Sequence, residues 1–388
     1  MSRYTVTTAI PYVNGRPHVG HALELVETDV LARHRRQRGD EVRFQTGTDD
    51  NALKNVQGAE AEGISPAKYV ERGAQSFLAL RDVLDLSFDD FIKTSSDPRH
   101  KSGVDKFWAA CVERGDFYRK SYAGLYCVGC ELFYPPDELI DGRCAEHGTV
   151  PEMVEENNWF FRLSAYQHQL HDLIASDTLR IEPAFRKNEV LSFIDSGLAD
   201  FSCSRSMTRA RGWGIPVPGD PDQVIYVWFD ALTNYITAPG YGTDDENFRY
   251  WWEDADERVH VIGKGIIRFH AVYWPAMLLS AGVRLPDTIF VHEYLTATSP
   301  APETPTTPPN AWSPAPTRIW PTTSATLSTA PCPCFSATAK APSPTSRRTT
   351  RRRTTPRRTI CAPPDPRPPR LSTVRSGSST FGVPPKPS

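Results

Sequence analysis

Pro11-Tyr12-Val13-Asn14-Gly15-Arg16-Pro17-His18-Val19-Gly20-His21 follows one patterned run and opens another. Before it, Tyr4 to Ile10 is rich in Thr and Val, which predicts a strand. After it, Ala22 to Arg38 carries Leu23, Val26, Val30 and Leu31 near helical spacing, with Gly39 as a stop, which predicts a helix. Two histidines three apart therefore stand at a strand-to-helix corner. A helix N-terminus offers unpaired N–H groups and a positive dipole end, which suits a polyphosphate. Gly20, with no Cβ, lets a planar ring or a phosphate approach the backbone.

Working outward, the chain of 388 residues is long enough for two or three domains, and its 39% hydrophobic content supports a sizeable core. No secretory segment or long apolar span is visible, so a soluble cytoplasmic protein without membrane partners is the expectation. The net charge of −2 conceals an asymmetry: residues 298–388 hold thirteen Lys/Arg against Glu303 and Asp365, and 21 of the 35 prolines. Such a stretch, without apolar periodicity, is expected to be disordered. The change is abrupt after Ala297, and runs such as Arg351-Arg352-Arg353 are what a G/C-rich coding sequence gives when read out of frame. The expectation is a frame-shifted tail; a basic partner-binding arm is the alternative. The acidic remainder would need local basic patches to hold nucleic acid.

Glu41 to Thr46 predicts a second strand ending in Gly47-Thr48-Asp49-Asp50, a place where open α/β sheets bind ligands, although an Asp beside Gly and Thr also suits an Asx turn. Ser65-Pro66 predicts a helix start, with Tyr69, Phe77, Leu80 and Leu84 on its buried face. Lys93-Thr94-Ser95-Ser96-Asp97 is expected to be a loop and helix cap. Further on, Gln223 to Phe229 reads as an apolar strand, and Arg258 to Ile262 as another, followed by a helix over Ile266 to Ala281 bent at Pro275. Ile266, His270 and Trp274 are four apart and share a face.

Eight cysteines without a secretion signal argue against a disulfide framework. Cys127-Val128-Gly129-Cys130 and Cys144-Ala145-Glu146-His147 form two C-x-x-[CH] pairs, able to supply three thiolates and an imidazole in tetrahedral geometry, a donor set that selects zinc. Four protein ligands leave no open position, so the zinc is expected to be structural. Cys111 and Cys203 are expected in the core.

His18-Val19-Gly20-His21 resembles the His-Ile-Gly-His signature of class I aminoacyl-tRNA synthetases, and Ala9 to Gly15 resembles its methionyl-tRNA synthetase form. Val227-Trp228-Phe229-Asp230-Ala231, then Ile262-Gly263-Lys264 with Phe269-His270 and Trp274-Pro275, are similar to later motifs of that family. The resemblance covers residues 4–297. It implies a doubly wound parallel sheet in two halves, 1–115 and 181–297, around a zinc-knuckle insertion at 116–180, followed by the tail 298–388. It implies activation of methionine by ATP, with Mg²⁺, and transfer to tRNA(Met). Pro17, His18, Gly20 and His21 would hold ATP, His18 and His21 as the catalytic pair. Asp49 would hold the amino group, and Ile10, Tyr12, Trp228, Ala231, Tyr235, Ile266 and His270 would line the methionine pocket. The short insertion cannot hold an editing domain, which leaves chiefly the methionine and cysteine enzymes.

This sequence departs from the family at Asp50-Asn51-Ala52 (usually Glu-His-Gly), at Leu232 (usually Pro) and at Gly265 (commonly Asp). No Lys-x-Ser-Lys occurs after Leu295, so activity is expected to be impaired by the missing loop and anticodon-binding domain. The alternatives are a non-catalytic remnant that binds methionine or ATP, and a cysteine-specific relative.

Overall fold

The computed structural model describes residues 1–130, 132–134 and 138–295. The expected frame-shifted tail, 298–388, lies outside the described residues. The first half runs β1 (Arg3–Thr8), α1 (Val19–Gln37), β2 (Glu41–Thr48), α2 (Leu53–Ala61), α3 (Pro66–Leu78), α4 (Leu80–Val83), β3 (Asp90–Lys93) and α5 (Pro98–Arg114). Then come β4 (Phe117–Cys127), β5 (Leu132–Tyr134), β6 (Glu152–Phe161), α6 (Gln167–Ala175), β7 (Arg180–Glu182) and α7 (Ala184–Asp195). The remainder is β8 (Phe201–Ser202), β9 (Ser204–Ser206), β10 (Pro216–Val217), β11 (Asp220–Ile225), α8 (Val227–Thr237), α9 (Asp245–Phe248), β12 (Glu257–Gly263), α10 (Trp274–Ala281) and β13 (Thr288–His292).

Six strands form a parallel sheet in the order β3-β2-β1-β12-β13-β7. The chain winds outward from β1 through β2 to β3, then resumes on the other side of β1 with β12 and β13. The crevice between the C-terminal ends of β1 and β12 is thus a topological switch point, where open α/β sheets bind ligands. Parallel strands covered on both faces read as continuous buried runs; Tyr4 to Thr8 are all buried. The threonines among them find partners: Thr7 Oγ1 lies 2.7 Å from His260 Nδ1, and Thr8 Oγ1 donates to Thr46 Oγ1 at 2.7 Å. One face packs an aromatic core around Phe107, Trp108, Phe229 and Trp274, the other a smaller cluster with Val6, Phe44, Phe88 and Val261.

Two expectations change. Gln223 to Phe229 is not one strand: β11 ends at Ile225, Tyr226 is the cap, and Trp228 and Phe229 belong to α8. α8 is buried on every side from Phe229 to Thr237, and the helical period lies in its buried polar residues Asp230, Thr233, Asn234 and Thr237, most of them beyond the apolar run that reads as a strand. Moreover, β11 pairs antiparallel with β9 and β10 in a separate sheet. The bend expected at Pro275 is a π-helical turn over Phe269–Tyr273. Proline has no N–H to bond one turn back, and a wider turn accommodates that loss. Lys93 ends β3 and Thr94 to Asp97 form the expected loop, with the Asp97 side chain capping α5 by accepting from Arg99 N.

Candidate active site

The corner after β1 is locked by its own histidines. His18 is the N-cap of α1, and its Nδ1 accepts from Gly20 N at 3.1 Å; His21 Nδ1 accepts from His18 N at 3.2 Å. With both Nδ1 atoms used as acceptors, the neutral rings carry their hydrogens on Nε2. The rings stack with centroids 3.7 Å apart, and His21 abuts Phe77 edge-on. Burial, with His18 beside it, lowers His21 to about 4, so it stays a neutral donor near neutral pH. A Cβ on Gly20 would lie 2.9 Å from His18 Cε1; the ring that comes close to this backbone is that of His18 itself.

A cavity of about 740 Å³ opens at the switch point. His18, Gly20 and His21 line it, as do Ile10, Tyr12, Asp49, Trp228 and Ile266. Pro17, Ala231, Tyr235 and His270 are not on its wall. The last three are buried: His270 bonds Ile266 O through Nδ1 at 3.0 Å, and its Nε2 lies 2.7 Å from the Tyr235 hydroxyl. Burial lowers His270 to about 4, so it accepts the phenol's hydrogen as a neutral ring. The wall in front of them is aromatic, with Trp228 stacked on Phe269 at 3.7 Å and Tyr12 edge-on to Trp228.

Asp49 sits at the end of β2, held to the first loop by its N–H to Pro11 O at 2.9 Å. Its carboxylate accepts from Asn51 N at 3.3 Å, so the Asx turn is present as well. Burial, with Asp230 and Asp50 nearby, raises its carboxyl well above the ordinary value. The departure Asp50-Asn51-Ala52 is internally supported: Asp50 accepts from Ser95 Oγ at 2.9 Å, Asn51 Nδ2 donates to Asp230, and Ala52 is fully buried.

Sequence reading missed Glu24 and His292, which line the same cavity. Glu24 Oε1 accepts from Ala9 N at 2.8 Å, while its Oε2 lies 2.9 Å from His292 Nε2, joining α1 to the end of β13. Burial raises the Glu24 carboxyl despite the His292 contact. Burial is the largest single influence on His292 and lowers it, but the bonds to Glu24 and to Glu293 O, with the charges of Glu24 and Glu27, together outweigh it and the net shift is upward. Glu24 lies three residues after His21, one turn along the same helix face, which was the available signal. At Gly265, a Cβ would lie 2.0 Å from Tyr294 Oη, so the phenol occupies the space a side chain there would need.

About the insertion, the ligand atoms of Cys127, Cys130, Cys144 and His147 all lie within 4.8 Å of one another. Cys130 Sγ is 3.4 Å from Cys144 Sγ and 3.1 Å from His147 Nδ1. Two sulfurs about 2.3 Å from a tetrahedral zinc stand under 4 Å apart, so the donor set fits the ion. Gly129 is required here, since its Cβ would meet the His147 ring at 2.6 Å.

The family model described as "tRNA synthetases class I (M)" matches residues 4–146 and 134–300. Methionine--tRNA ligase of Brucella suis is 49% identical over 298 residues, 76% of this chain and 56% of its own length. The Mycobacterium tuberculosis ligase is 46% identical over 300 residues, covering 76% of this chain and 56% of its own. The structure of M. tuberculosis methionyl-tRNA synthetase in complex with methionyl-adenylate superposes with a TM-score of 0.71 at 46% identity, over 76% of this chain and 57% of that one. The chain therefore spans little more than half the length of these relatives. Parallel sheet, switch-point cavity and sequence likeness agree: the chain belongs to the methionyl-tRNA synthetase family of class I tRNA synthetases.

Proposed function

We propose that this cavity binds methionine and ATP together and forms methionyl-adenylate. The observation that carries the reading is the placement of a buried carboxylate, Asp49, and a histidine-capped helix end on the walls of one cavity. In the reaction, a methionine carboxylate oxygen attacks the α-phosphorus of ATP, the bond from that phosphorus to the bridging oxygen breaks, and pyrophosphate leaves with the electron pair. The tRNA 3′-terminal hydroxyl then attacks the acyl carbon and AMP departs. Asp49 pairs with the ammonium group. The Nε2–H groups of His18 and His21 donate to phosphate oxygens as negative charge builds, a form of preorganised electrostatic stabilisation. Tyr12, Trp228 and Ile266 offer the thioether an apolar, polarizable wall, with Ala231, Tyr235 and His270 shaping it from behind. Pro17 and Gly20 set the turn that presents the histidines. Mg²⁺ accompanies ATP as part of the substrate.

Zinc, held by Cys127, Cys130, Cys144 and His147, would supply folding free energy to the insertion rather than chemistry. The division 1–115, 116–180 and 181–297 is supported by the sheets: β4, β5 and β6 form an antiparallel sheet with β8, and the chain re-enters the parallel sheet at Arg180. Among the described residues no helix is long and apolar enough to cross a membrane. A cytoplasmic location is part of the proposal.

The test is thermal-shift titration of the full chain with methionine, leucine and cysteine, since a ligand that binds the native state raises its melting temperature by mass action. Methionine is expected to give the largest shift. An equal or larger shift with cysteine would overturn the reading in favour of the cysteine-specific alternative.

A further inference from the structure

Behind Asp49 runs a buried hydrogen-bond chain that the reaction steps do not use. His100, fully buried on α5, places Nε2 2.5 Å from Asp230 Oδ1 and Nδ1 2.8 Å from Thr237 Oγ1. The other oxygen of Asp230 accepts from Asn51 Nδ2 at 2.7 Å, and Asn51 N donates to Asp49 Oδ1 at 3.3 Å. A carboxylate oxygen accepts, so His100 Nε2–H and Asn51 Nδ2–H point at Asp230, while His100 Nδ1 faces the Thr237 hydroxyl, which also lies 3.4 Å from Asn234 O. The links run from α8 through α5 to the loop after β2.

The frame around the chain is stiff. A Cβ on Gly103 would lie 2.3 Å from Thr237 Cγ2 and 2.6 Å from Tyr241 O, so α5 lies against α8 with no room between them. Apolar residues of similar volume would hold two helices together at least as well as a buried imidazole–carboxylate pair, whose desolvation is expensive. What apolar residues would not do is orient the Asn51 turn or set a second carboxylate beside Asp49.

We propose that His100 is a positioning residue for the ammonium subsite: through Asp230 and Asn51 it holds the Asp49 carboxylate toward the cavity and keeps Asp230 where a bound cation completes the pair. This rests on reading the cavity as an amino-acid site. The charged groups that face Asp49 are Asp230, Asp50 and Lys54. Lys54 Nζ lies 3.6 Å from the Tyr12 ring centroid and 3.1 Å from Gly129 O. Asp50 is turned to Ser95. An incoming ammonium would add a positive charge beside Asp49, Asp230 and Asp50.

The experiment is calorimetric titration of the full chain with methionine and, separately, with ATP, repeated from neutral to mildly acid pH. The variants are His100→Leu, His100→Gln and Asn51→Ala. Leu removes the donor to Asp230, whereas the Gln amide can still supply one. His100→Leu and Asn51→Ala are expected to weaken methionine about ten- to a hundredfold, as loss of one hydrogen bond to a buried charge does. They should also move the acid-side loss of methionine binding to higher pH, leave the ATP dissociation constant unchanged, and be largely reversed in His100→Gln. Unchanged methionine affinity and pH profile, or equal losses for methionine and ATP, would overturn the proposal. If His100→Leu does not melt cooperatively, Asn51→Ala decides, because Asn51 is only partly buried and the His100–Asp230–Thr237 links stay intact. A wild-type chain that does not bind methionine fails the amino-acid reading first, before any variant is compared, and the proposal falls with it.

Discussion

Replacing Asp49 with alanine or asparagine is expected to weaken methionine binding by at least about thirtyfold while leaving the protein folded. The two variants remove the same charge by different routes, asparagine keeping the size of the side chain. Asp49 is almost fully buried at the end of β2, lines the cavity, and has its carboxylate crowded by Asp230 and Asp50. A carboxylate in that position is costly to keep ionised alone and gains greatly from an ammonium partner. Losing one member of such a pair typically costs 2–5 kcal/mol, about thirty- to several-thousandfold in Kd. Burial and the neighbouring carboxylates raise the Asp49 carboxyl, so it takes up a proton at higher pH than an ordinary aspartate. Methionine affinity should therefore be constant above that raised pKa and fall as the pH drops through it. Asp50 offers the contrast: its carboxylate is bonded to Ser95 and it does not line the cavity. Calorimetric titration with methionine is the check; near-normal affinity in Asp49→Ala would remove the ammonium anchor from the account.

The double substitution Cys127→Ser/Cys144→Ser is expected to release one zinc per chain and unfold the knuckle without dissolving the parallel sheet. Among the described residues, Ile140, Val150 and Met153 are 64%, 65% and 71% exposed, so around the cysteine and histidine turns these apolar side chains face water rather than a core. Cys127 and Cys144, in contrast, are each 1% exposed, in the manner of residues whose sulfurs serve an interior ion. In small zinc domains, metal binding contributes on the order of 10 kcal/mol to folding. Elemental analysis of tag-free protein, with hydrogen exchange over residues 138–149, reads both effects. Absence of zinc from the unaltered chain, or full retention in the double variant, would contradict the assignment.

Much of this architecture is legible in the residues because local pattern and tertiary placement agree. Thr and Val before Ile10, two histidines and a glycine define β1, the corner and the start of α1 within a few positions, although Val26 and Val30 of the apolar spacing are exposed and the helix buries Leu25, Thr28, Asp29 and Ala32 instead. The two C-x-x-[CH] pairs converge for a similar reason: few other arrangements put thiolates and imidazole on paired turns. Legibility fails where burial is complete. Val227 to Thr237 is buried almost throughout, and its helical signal is carried by the polar side, Asp230, Thr233, Asn234 and Thr237 at i, i+3, i+4 and i+7, which a reading of the apolar run from Gln223 to Phe229 passes over. Glu24, His292 and His100 were passed over for a related reason. A charged or polar residue in an amphipathic pattern looks solvated, and only the tertiary fold shows Glu24 meeting His292 or His100 meeting Asp230. Gly265 shows the limit of motif comparison, since its meaning depends on Tyr294, which lies far along the chain and packs where a side chain would go.

The central claim is that methionine and ATP meet in the one cavity. It is tested most directly with a stable methionyl-adenylate analogue, its phosphate replaced by a sulfamate, titrated into the full chain beside its leucyl and cysteinyl counterparts. Joining two ligands that occupy adjacent parts of one site makes the second contact intramolecular, so the analogue should bind one per chain at least about a hundredfold more tightly than methionine alone. Both methionine and ATP should displace it, and the leucyl and cysteinyl forms should be weaker by about tenfold or more. Binding that ATP does not displace, or equal affinity for the leucyl or cysteinyl analogue, would contradict the account.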